Sequence, residues 1–251
     1  GLPQAELAEK LSDYHENDLA DALAALTPDE RQKLYAVLGV DTVAEIFSYL
    51  DDAEPYLKEL PSEKAANVVS HMDSDDAVDA LDDLEEEDKA KIVGQLDKDS
   101  AEDVKMLLSY GEDEIGSSMT TNYICIRKDM TIRQAMSELV KQAGENDNIS
   151  TLYAVDDADV LVGAIDLKEL IIARENMALE DILMTSYPYV YADELVEDCI
   201  ERIRGYSEDS IPVLDAENRL CGALTAQDVA ELVADVGERV YPVGRLDRES
   251  E

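Results

Sequence analysis

Hydrophobic residues recur every twelve positions through the first part of the chain, in two ladders that share a two-residue slip near "DDAEP". The first ladder consists of Leu26, Leu38, Leu50, Leu60, Met72, Leu84, Leu96 and Leu108. The second lies three residues earlier and consists of Leu23, Tyr35, Phe47, Leu57, Val69, Leu81 and Val93. A spacing of three places both ladders on one helical face. The pattern predicts a series of short amphipathic helices.

Residues typical of helix starts recur at the same period. They occur in "TPDE" at Thr27, "PSEK" at Ser62, "DSDD" at Asp73, and "DSAED" at Asp99 and Ser100. Short helices joined by tight turns bury their apolar stripe only against their neighbours. We therefore predict that the helices form a superhelical stack.

After "SYGEDEIG" the pattern changes to alternating β and α elements, and the chain repeats itself once. "MTTNYICIRKDMTIRQAMSEL" from Met119 pairs with "MTSYPYVYADELVEDCIERI" from Met184, and the strands that follow place Gly163 opposite Gly222. Each copy reads as an extended segment, a helix, two strands joined by a turn, and a helix. Neither copy is long enough to close a core alone, so we expect the two to pack sheet against sheet.

These patterns predict an α plus α/β fold with four parts. The predicted boundaries are 1–117 for the helical stack, 118–178 and 179–240 for the two repeats, and 241–251 for a connecting tail.

The chain is strongly acidic, with a formal net charge of −39. Both the helical part and the repeats carry this excess, which argues against nucleic acid or anionic lipid as a partner. Cations or basic proteins are the natural partners. The acids are densest in "DDLEEEDKAKIVGQLDKDSAED", which holds ten carboxylates and three lysines. No apolar run reaches the length of a membrane helix, so we expect this piece to be soluble.

Enzymatic chemistry has no sequence signature here. The chain contains no Gly-rich phosphate loop, no nucleophile elbow and no cluster of His or Cys ligands. The acidic run from Asp73 does not fit a calcium-binding EF-hand, because Val78 and Leu84 replace the required Gly and Glu. We expect a protein that is not an enzyme.

The repeat, with "GALTAQD" at the start of its last helix, resembles a tandem pair of CBS domains, also called a Bateman module. In many such modules a Thr or Ser and an Asp three residues later hold a nucleotide ribose, which Thr225 and Asp228 would match. The first copy departs from this pattern, with Asp166 and Glu169. Thr225 is an equally good N-cap for the final helix, so both interpretations stay open.

The order of a helical stack containing "MDSDDAVDAL", then "SYGEDEIGSSMTTNYICI", then a CBS pair resembles the cytosolic part of the MgtE family of magnesium channels and transporters. The resemblance implies a sensor on the cytoplasmic side of the cell membrane, a homodimer formed through the CBS domains, and a multi-pass pore domain in the same protein. Residues 241–251 would begin the connection to that domain. It also implies that Mg²⁺ binding gates the pore.

Charge patterning supplies the candidate Mg²⁺ ligands. Mg²⁺ keeps several waters and bridges carboxylates, and acids three or four residues apart share a helical face. This spacing selects two sets, Asp75, Asp76 and Asp79, and Asp228, Glu231, Asp235 and Glu238. The resemblance implies that a carboxylate pair, matched by Asp75 and Asp79, faces the CBS pair, and it adds Glu208 and Asp209 as opposing candidates, with Ser207 at a position where a relative would carry an acid. For any one of them a solvated surface charge is an equally good interpretation. As a set, they predict repulsion between domains that bound Mg²⁺ converts into attraction.

Two other functions remain open. The chain could be an adenine-nucleotide sensor that regulates a different effector through its CBS pair. It could also be a scaffold whose acidic face docks a basic protein. Dimerisation is expected through the apolar faces of "LKELIIA" and "VAELVA".

Overall fold

The computed structural model describes residues 10–11, 13–50, 52–82, 84–144 and 146–240, with the backbone alone at 237–240. The chain divides into two compact units, Gly1–Leu108 and Ser109–Glu251. The first is helical and the second contains two small sheets with helices, so the predicted α plus α/β class is confirmed. The division falls ahead of the predicted boundary at 117. None of the described helices is both long enough and apolar enough to cross a membrane.

The helical unit is a stack of short helices in which alternate members pack together. Helix α1 packs on α3, α3 on α5, α5 on α7, and α6 on α8. The described helices of this unit are α1 Glu16–Leu23, α2 Pro28–Leu38, α3 Val40–Ser48, α4 Glu54–Lys58, α5 Ser62–Val69, α6 Ser74–Asp82, α7 Glu86–Val93 and α8 Lys98–Leu107.

The two hydrophobic ladders have different structural roles. Most of the second ladder is core: Leu23, Phe47, Leu57 and Leu81 are at most 1% exposed. Burial of such a side chain stabilises the fold by roughly 1.5–3 kcal/mol. The first ladder lies at the helix ends, where amides donate to carbonyls of the second ladder, in the pairs Leu26–Leu23, Leu50–Phe47, Leu60–Leu57, Met72–Val69 and Leu84–Leu81. At these five positions the spacing of three marks a helix-closing turn, not one continuous helical face.

The observed helix starts agree with the predicted start residues at Thr27 but differ from them in α8. Thr27 precedes α2, and the Glu30 carboxylate accepts hydrogen bonds from its amide at 2.9 Å and from its hydroxyl at 2.8 Å. Helix α5 begins at Ser62, as expected, but it has no side-chain cap. Helix α8 begins one residue ahead of the predicted start chemistry, because Asp97 is its N-cap and accepts hydrogen bonds from the amides of Asp99 and Ser100, both at 3.0 Å.

The second unit contains two copies of the same arrangement. In each copy the first strand pairs parallel with the second, and the second pairs antiparallel with the third. Copy 1 comprises β1 Ile124–Arg127, α9 Ile132–Gln142, β2 Thr151–Val155, β3 Leu161–Asp166 and α10 Leu167–Ile172. Copy 2 comprises β4 Val190–Tyr191, α11 Val196–Ile203, β5 Ser210–Leu214, β6 Leu220–Thr225 and α12 Ala226–Val240.

The two copies exchange the segments that precede their first strands. Thr120 forms two backbone hydrogen bonds with Ala223 of copy 2, both at 2.9 Å. Met184 does the same with Ala164 of copy 1, at 2.9 and 3.0 Å. Each sheet is therefore extended by a segment that leads into the other copy, which is why neither copy closes its core alone.

This exchange also fixes how the repeats align. Thr120 and Met184 occupy equivalent positions, as do Thr131 and Leu195, the residues before helices α9 and α11. The sequence pairing of Met119 with Met184 is therefore wrong by one residue. The shared "MT" dipeptide suggested the false register, whereas the hydrogen bonds give the true one.

A buried tyrosine cluster joins the two sheets. Tyr153 is fully buried, and its hydroxyl lies 2.5 Å from the hydroxyl of Ser210 on the other copy. The rings of Tyr123 and Tyr187 meet it edge-on, with centroids 6.0 and 6.3 Å away. The expected packing of sheet against sheet is thus present, with Tyr153 at its centre.

Candidate functional site

The first acidic set lies at the start of α6. Asp75 and Asp76 are half-buried in the first turn of this helix, and Asp79 is exposed one turn further on. Asp75 and Asp79 are four residues apart and thus share a helical face. The carboxylates of Asp75 and Asp76, in the first turn, also complement the positive end of the helix dipole, so the helix start tolerates both charges.

The second acidic set, on α12, differs from the sequence expectation. Asp228 is 9% exposed, and its carboxylate accepts a hydrogen bond from the amide of Thr225 at 2.6 Å. The Thr225 hydroxyl accepts from the amide of Asp228 at 3.2 Å, which completes a capping box. Glu231 and Asp235 are exposed further along the helix, and the side chain of Glu238 lies outside the described residues.

The capping box bears on the nucleotide prediction. Thr225 lines a small cavity of about 90 Å³ that also includes Ile203, Tyr206 and Glu208. A cavity of this size is well below the roughly 300 Å³ at which small-molecule sites begin. Thr225 and Asp228 cap α12, and the cavity that Thr225 lines among the described residues is too small for a nucleotide.

A much larger cleft lies between the two copies, and we call it the interrepeat cleft. It has a volume of about 580 Å³. Its walls come from β2, the end of β3, the exchanged segment and the residues before β5. The lining residues are Thr151, Asp166, Met184, Thr185, Ser186, Tyr187, Pro188, Ser207, Glu208 and Asp209.

Charge in the interrepeat cleft is negative throughout. Asp166, Glu208 and Asp209 line it, and among the described residues of its lining there is no Lys, Arg or His. Burial raises the pKa of the Tyr187 hydroxyl, and the nearby charges of Glu208 and Asp209 raise it further. The negative potential of the acids therefore reaches the tyrosine on the cleft wall.

The structure separates the sequence-predicted residues into three groups. Asp75, Asp76 and Asp79 lie together on α6 in the helical unit; Glu208 and Asp209, with Ser207 beside them, lie on the cleft; and the remaining acids lie on α12. No three His, Cys, Asp or Glu side chains of the described residues form a group that could hold a metal ion.

The cleft residues Thr151 and Tyr187 were missed from the sequence. The repeat did point to Asp166, because this residue is equivalent to Thr225 of the second copy. Its carboxylate caps α10 by accepting a hydrogen bond from the amide of Lys168 at 2.7 Å. Tyr187 had no such signal, since its place on the cleft depends on the exchange of segments.

The chain matches two family models in sequence. The MgtE intracellular N domain matches residues 14–113, and the CBS domain matches residues 113–176 and 179–235. Among curated proteins, the magnesium transporter MgtE of Enterococcus faecalis is 36% identical over 221 residues, which cover 86% of this chain and 49% of that protein. The Bacillus subtilis MgtE is 26% identical and covers 89% of this chain and 50% of its own length. The chain thus spans about half the length of these relatives.

Solved structures agree over nearly the whole chain. A crystal structure of the soluble part of a magnesium transporter superposes with a TM-score of 0.87 at 30% identity, covering 93% of both chains. The cytosolic domain of the Mg²⁺ channel MgtE in complex with ATP gives a TM-score of 0.82 at 29% identity, covering 92% of this chain and 95% of that one.

Proposed function

Because the chain belongs to the MgtE family, of which it carries the intracellular N domain and the paired CBS domains, we propose that it is the Mg²⁺-sensing regulatory region of a magnesium transporter or channel. It would act on the cytoplasmic side of the membrane and control a pore domain of the same protein. The observation that carries this proposal is the acidic face of α6, placed within the domain that matches the MgtE intracellular N domain.

The mechanism follows from charge. In the absence of Mg²⁺, the acids of α6 and of the CBS pair repel one another. Bound Mg²⁺ reverses this repulsion and favours a compact closed state by RT ln(1 + [L]/Kd) per site. A site at ten times its Kd contributes roughly 1.4 kcal/mol, so about four weak sites move a two-state equilibrium from 1:99 to 99:1. The ligands proposed for this role are Asp75, Asp76 and Asp79 together with Glu208, Asp209, Asp228, Glu231, Asp235 and Glu238.

The test replaces Asp75 and Asp79 by Asn, which removes two charges and keeps the side-chain shape. The variant should be more compact than the parent without Mg²⁺, and it should compact less when Mg²⁺ is added. Small-angle scattering at constant ionic strength measures both effects, with Na⁺ as the screening reference.

Glu86 and Glu87 supply the matched control. They lie in the first turn of α7, and both are exposed. Glu87 pairs with Lys91 at 2.9 Å, an exposed contact that contributes little. Glu86→Gln with Glu87→Gln should keep the Mg²⁺ response of the parent. Equal responses from both double variants would refute the assignment of Asp75 and Asp79.

We further propose a homodimer through the CBS pair. Val140 on α9 is 70% exposed, and Ile171 and Ile172 on the adjacent α10 are each 61% exposed. Such an apolar patch is typical of a partner surface. On α12 the equivalent positions carry Ala230 and Glu231, and the neighbouring Leu232 is buried, so α10 is the stronger candidate. Sedimentation of Ile171→Asp with Ile172→Asp should show a monomer where the parent sediments as a dimer.

An adenine-nucleotide sensor is the second candidate function, because a related cytosolic domain has been solved with ATP. The acidic cleft opposes this function, since phosphates would be repelled there. Calorimetry with ATP and with Mg²⁺, each alone, separates the two candidates: the Mg²⁺ sensor requires binding by Mg²⁺ alone.

A further inference from the structure

A small pocket in the helical unit combines an apolar floor with an acidic rim. It is bounded by α4, α5 and α7, and we call it the α4–α7 pocket. None of its lining residues belongs to the proposed Mg²⁺ ligands. We propose that this pocket binds one aliphatic side chain of a basic peptide, that is, a leucine or methionine flanked by lysine or arginine on a partner protein. This proposal is independent of the Mg²⁺ sensor.

The floor of the α4–α7 pocket is apolar because buried positions of three helices converge there. Leu57 of α4 and Ala65 of α5 are at most 1% exposed, and Ile92 of α7 is also buried. Lys58 and Asp88, which line the pocket as well, are exposed and half-buried, so the pocket opens to solvent on their side. An apolar side chain that enters there leaves water and contacts carbon atoms of the floor.

The volume of the pocket, about 130 Å³, selects the class of ligand. Small-molecule sites span roughly 300–1,000 Å³, so this space is too small for one. An apolar cavity of about 150 Å³ in another protein holds benzene, which is close in size to the end of a leucine or methionine side chain. A metal ion would find a single carboxylate, that of Asp88, among the described lining residues. A side chain of a macromolecule is what fits.

The rim of the pocket sets the charge of the partner. Lys58 forms an ion pair with Glu54 on its own helix, and its ammonium lies 3.9 Å from the carboxylate of Asp88 on α7. The hydrogen bond to Glu54 chiefly raises the pKa of Lys58, and the nearby charges of Glu54, Glu85 and Asp88 raise it further. Three carboxylates thus surround one ammonium. The excess of negative charge attracts lysine and arginine and repels the phosphates of nucleic acid and lipid.

The densest acidic stretch of the sequence forms one side of this pocket. Leu84, Asp88 and Ile92 recur every four residues and all line it, so two apolar side chains and one carboxylate point to the same place. Residues 1–108 carry 29 acids against nine bases, which extends the negative field well beyond the rim. Such a field steers a basic partner toward the pocket and raises its rate of association.

The experiment compares two fluorescent peptides of equal charge, Gly-Lys-Arg-Leu-Arg-Lys and the same peptide with Ser in place of Leu. Fluorescence anisotropy measures their binding to the full chain at about 0.15 M sodium chloride, without divalent ions. We expect the Leu peptide to bind about tenfold more tightly, because its side chain is buried on the floor of the pocket. Equal affinity of the two peptides would show attraction to surface charge alone and overturn the proposal.

Two variants fill the pocket without changing its charge. Ala65→Leu places a larger side chain on the floor, and Ser62→Leu does so from a half-buried lining position in the first turn of α5. Circular dichroism checks the fold, since overpacking at Ala65 introduces strain that the more accessible Ser62 avoids. Both variants should lose the preference for leucine over serine. A preference that survives in either folded variant would place the peptide elsewhere and overturn the proposal.

The rim is tested by Glu54→Gln with Glu85→Gln. Glu85 precedes α7 without a side-chain cap, so its replacement leaves the helix start intact. Both peptides should bind several-fold more weakly, whereas the ratio of their affinities should stay that of the parent. Asp29→Asn with Glu102→Gln is the matched control, because it removes two exposed charges from α2 and α8, outside the pocket lining. Equal weakening in both double variants would make the attraction a property of net charge and overturn the role of the rim.

Two further measurements identify the occupant and separate this proposal from the sensor. If Ala65→Leu lowers the oligomeric state of the chain in sedimentation, the occupant is a second copy, and the assignment to a basic peptide is overturned. Asp75→Asn with Asp79→Asn should bind both peptides as the parent does, since these residues lie outside the pocket lining. A chain that compacts with Mg²⁺ and shows no leucine preference refutes the pocket and leaves the sensor intact. A chain with the preference that ignores Mg²⁺ refutes the sensor alone.

Discussion

A largely buried ion pair of the helical unit, between Arg31 and Glu59, offers a quantitative test of what holds the stack together. Arg31 on α2 is 9% exposed and forms a two-pronged contact with the carboxylate of Glu59, with one nitrogen–oxygen distance of 2.9 Å. Its guanidinium also donates to the carbonyls of Leu23 and Leu26, which end α1, and lies 5.3 Å from the ring centroid of Tyr56. One side chain therefore links helices α1, α2 and α4.

Replacement of Arg31 by Met keeps much of the packing volume and removes every donor. Breaking a fully buried ion pair costs about 3–5 kcal/mol. The Glu59 side chain is 20% exposed, so water recovers part of this loss, and about 2–3 kcal/mol is a better figure for the pair. The two carbonyls add roughly 1 kcal/mol. We expect a total loss of about 3–4 kcal/mol in the free energy of unfolding.

Urea unfolding of the whole chain, followed by circular dichroism, measures the loss. Hydrogen exchange of amides in α2 and α5 assigns it to the helical unit. Adding Glu59→Met should recover roughly 1–2 kcal/mol, because the stranded carboxylate is then removed. If Arg31→Met costs less than about 1 kcal/mol, the pair is a surface-like contact and the reasoning fails.

Three further predictions follow from single positions. Gly163→Ala should cost roughly 1–3 kcal/mol in thermal unfolding, because the new Cβ would lie 2.4 Å from the backbone carbonyl oxygen of Met184. At Gly222 the new Cβ would lie 2.4 Å from Sδ and 2.7 Å from Cγ of Met119, a flexible side chain that can shift more easily than backbone, so Gly222→Ala should cost less; equal costs would contradict this. Tyr35→Phe should be neutral or stabilise by up to about 1 kcal/mol, since this buried hydroxyl has no partner among the described residues; a clear loss would reveal a bound water. Hydrogen bonds, chiefly from the Ser100 amide, lower the pKa of Asp97 below its ordinary value of 3.8. The ionised carboxylate therefore contributes fully to the free energy of unfolding when the pH is above that ordinary value, and the contribution is lost as the pH falls further. Asp97→Asn should reduce the loss of stability at acidic pH, and an unchanged loss would contradict the capping role.

The helical stack could be predicted because its signals are local. A period of twelve, with cap residues at the same interval, specifies short helices whatever their packing. What the pattern did not separate was core from turn: Leu23 and Leu26 look alike as leucines, yet one is fully buried and the other closes the helix. That distinction depends on where each helix ends, which is set by backbone hydrogen bonds.

The repeat could be recognised from sequence, but its register could not. Met119 and Met184 are each followed by Thr, and identity of two residues outweighed the spacing to the following helix. The hydrogen bonds of Thr120 and Met184 to opposite copies decide the register. A long-range exchange of this kind leaves no periodic trace in a single chain.

Site residues were the least predictable part. In the sequence, Asp228 fits a nucleotide-binding motif, a metal-ligand pattern and a capping box equally well. The position of its carboxylate in the structure shows that it caps α12. The cleft, in contrast, is assembled from stretches that are distant in sequence, so Tyr187 and Asp166 could not be paired beforehand.

The exchange of segments has a consequence for synthesis on the ribosome. Strand β3 of the first copy pairs with the segment around Met184, so the first sheet is incomplete until residues 178–184 have left the exit tunnel. Those residues lead into the second copy. Residues 114–120, by contrast, are made early and must wait for β6, which comes about a hundred positions later. At roughly 5–20 residues per second this is a delay of several seconds. The nascent CBS pair therefore cannot fold one repeat at a time, whereas the helical stack ahead of it can fold as it emerges.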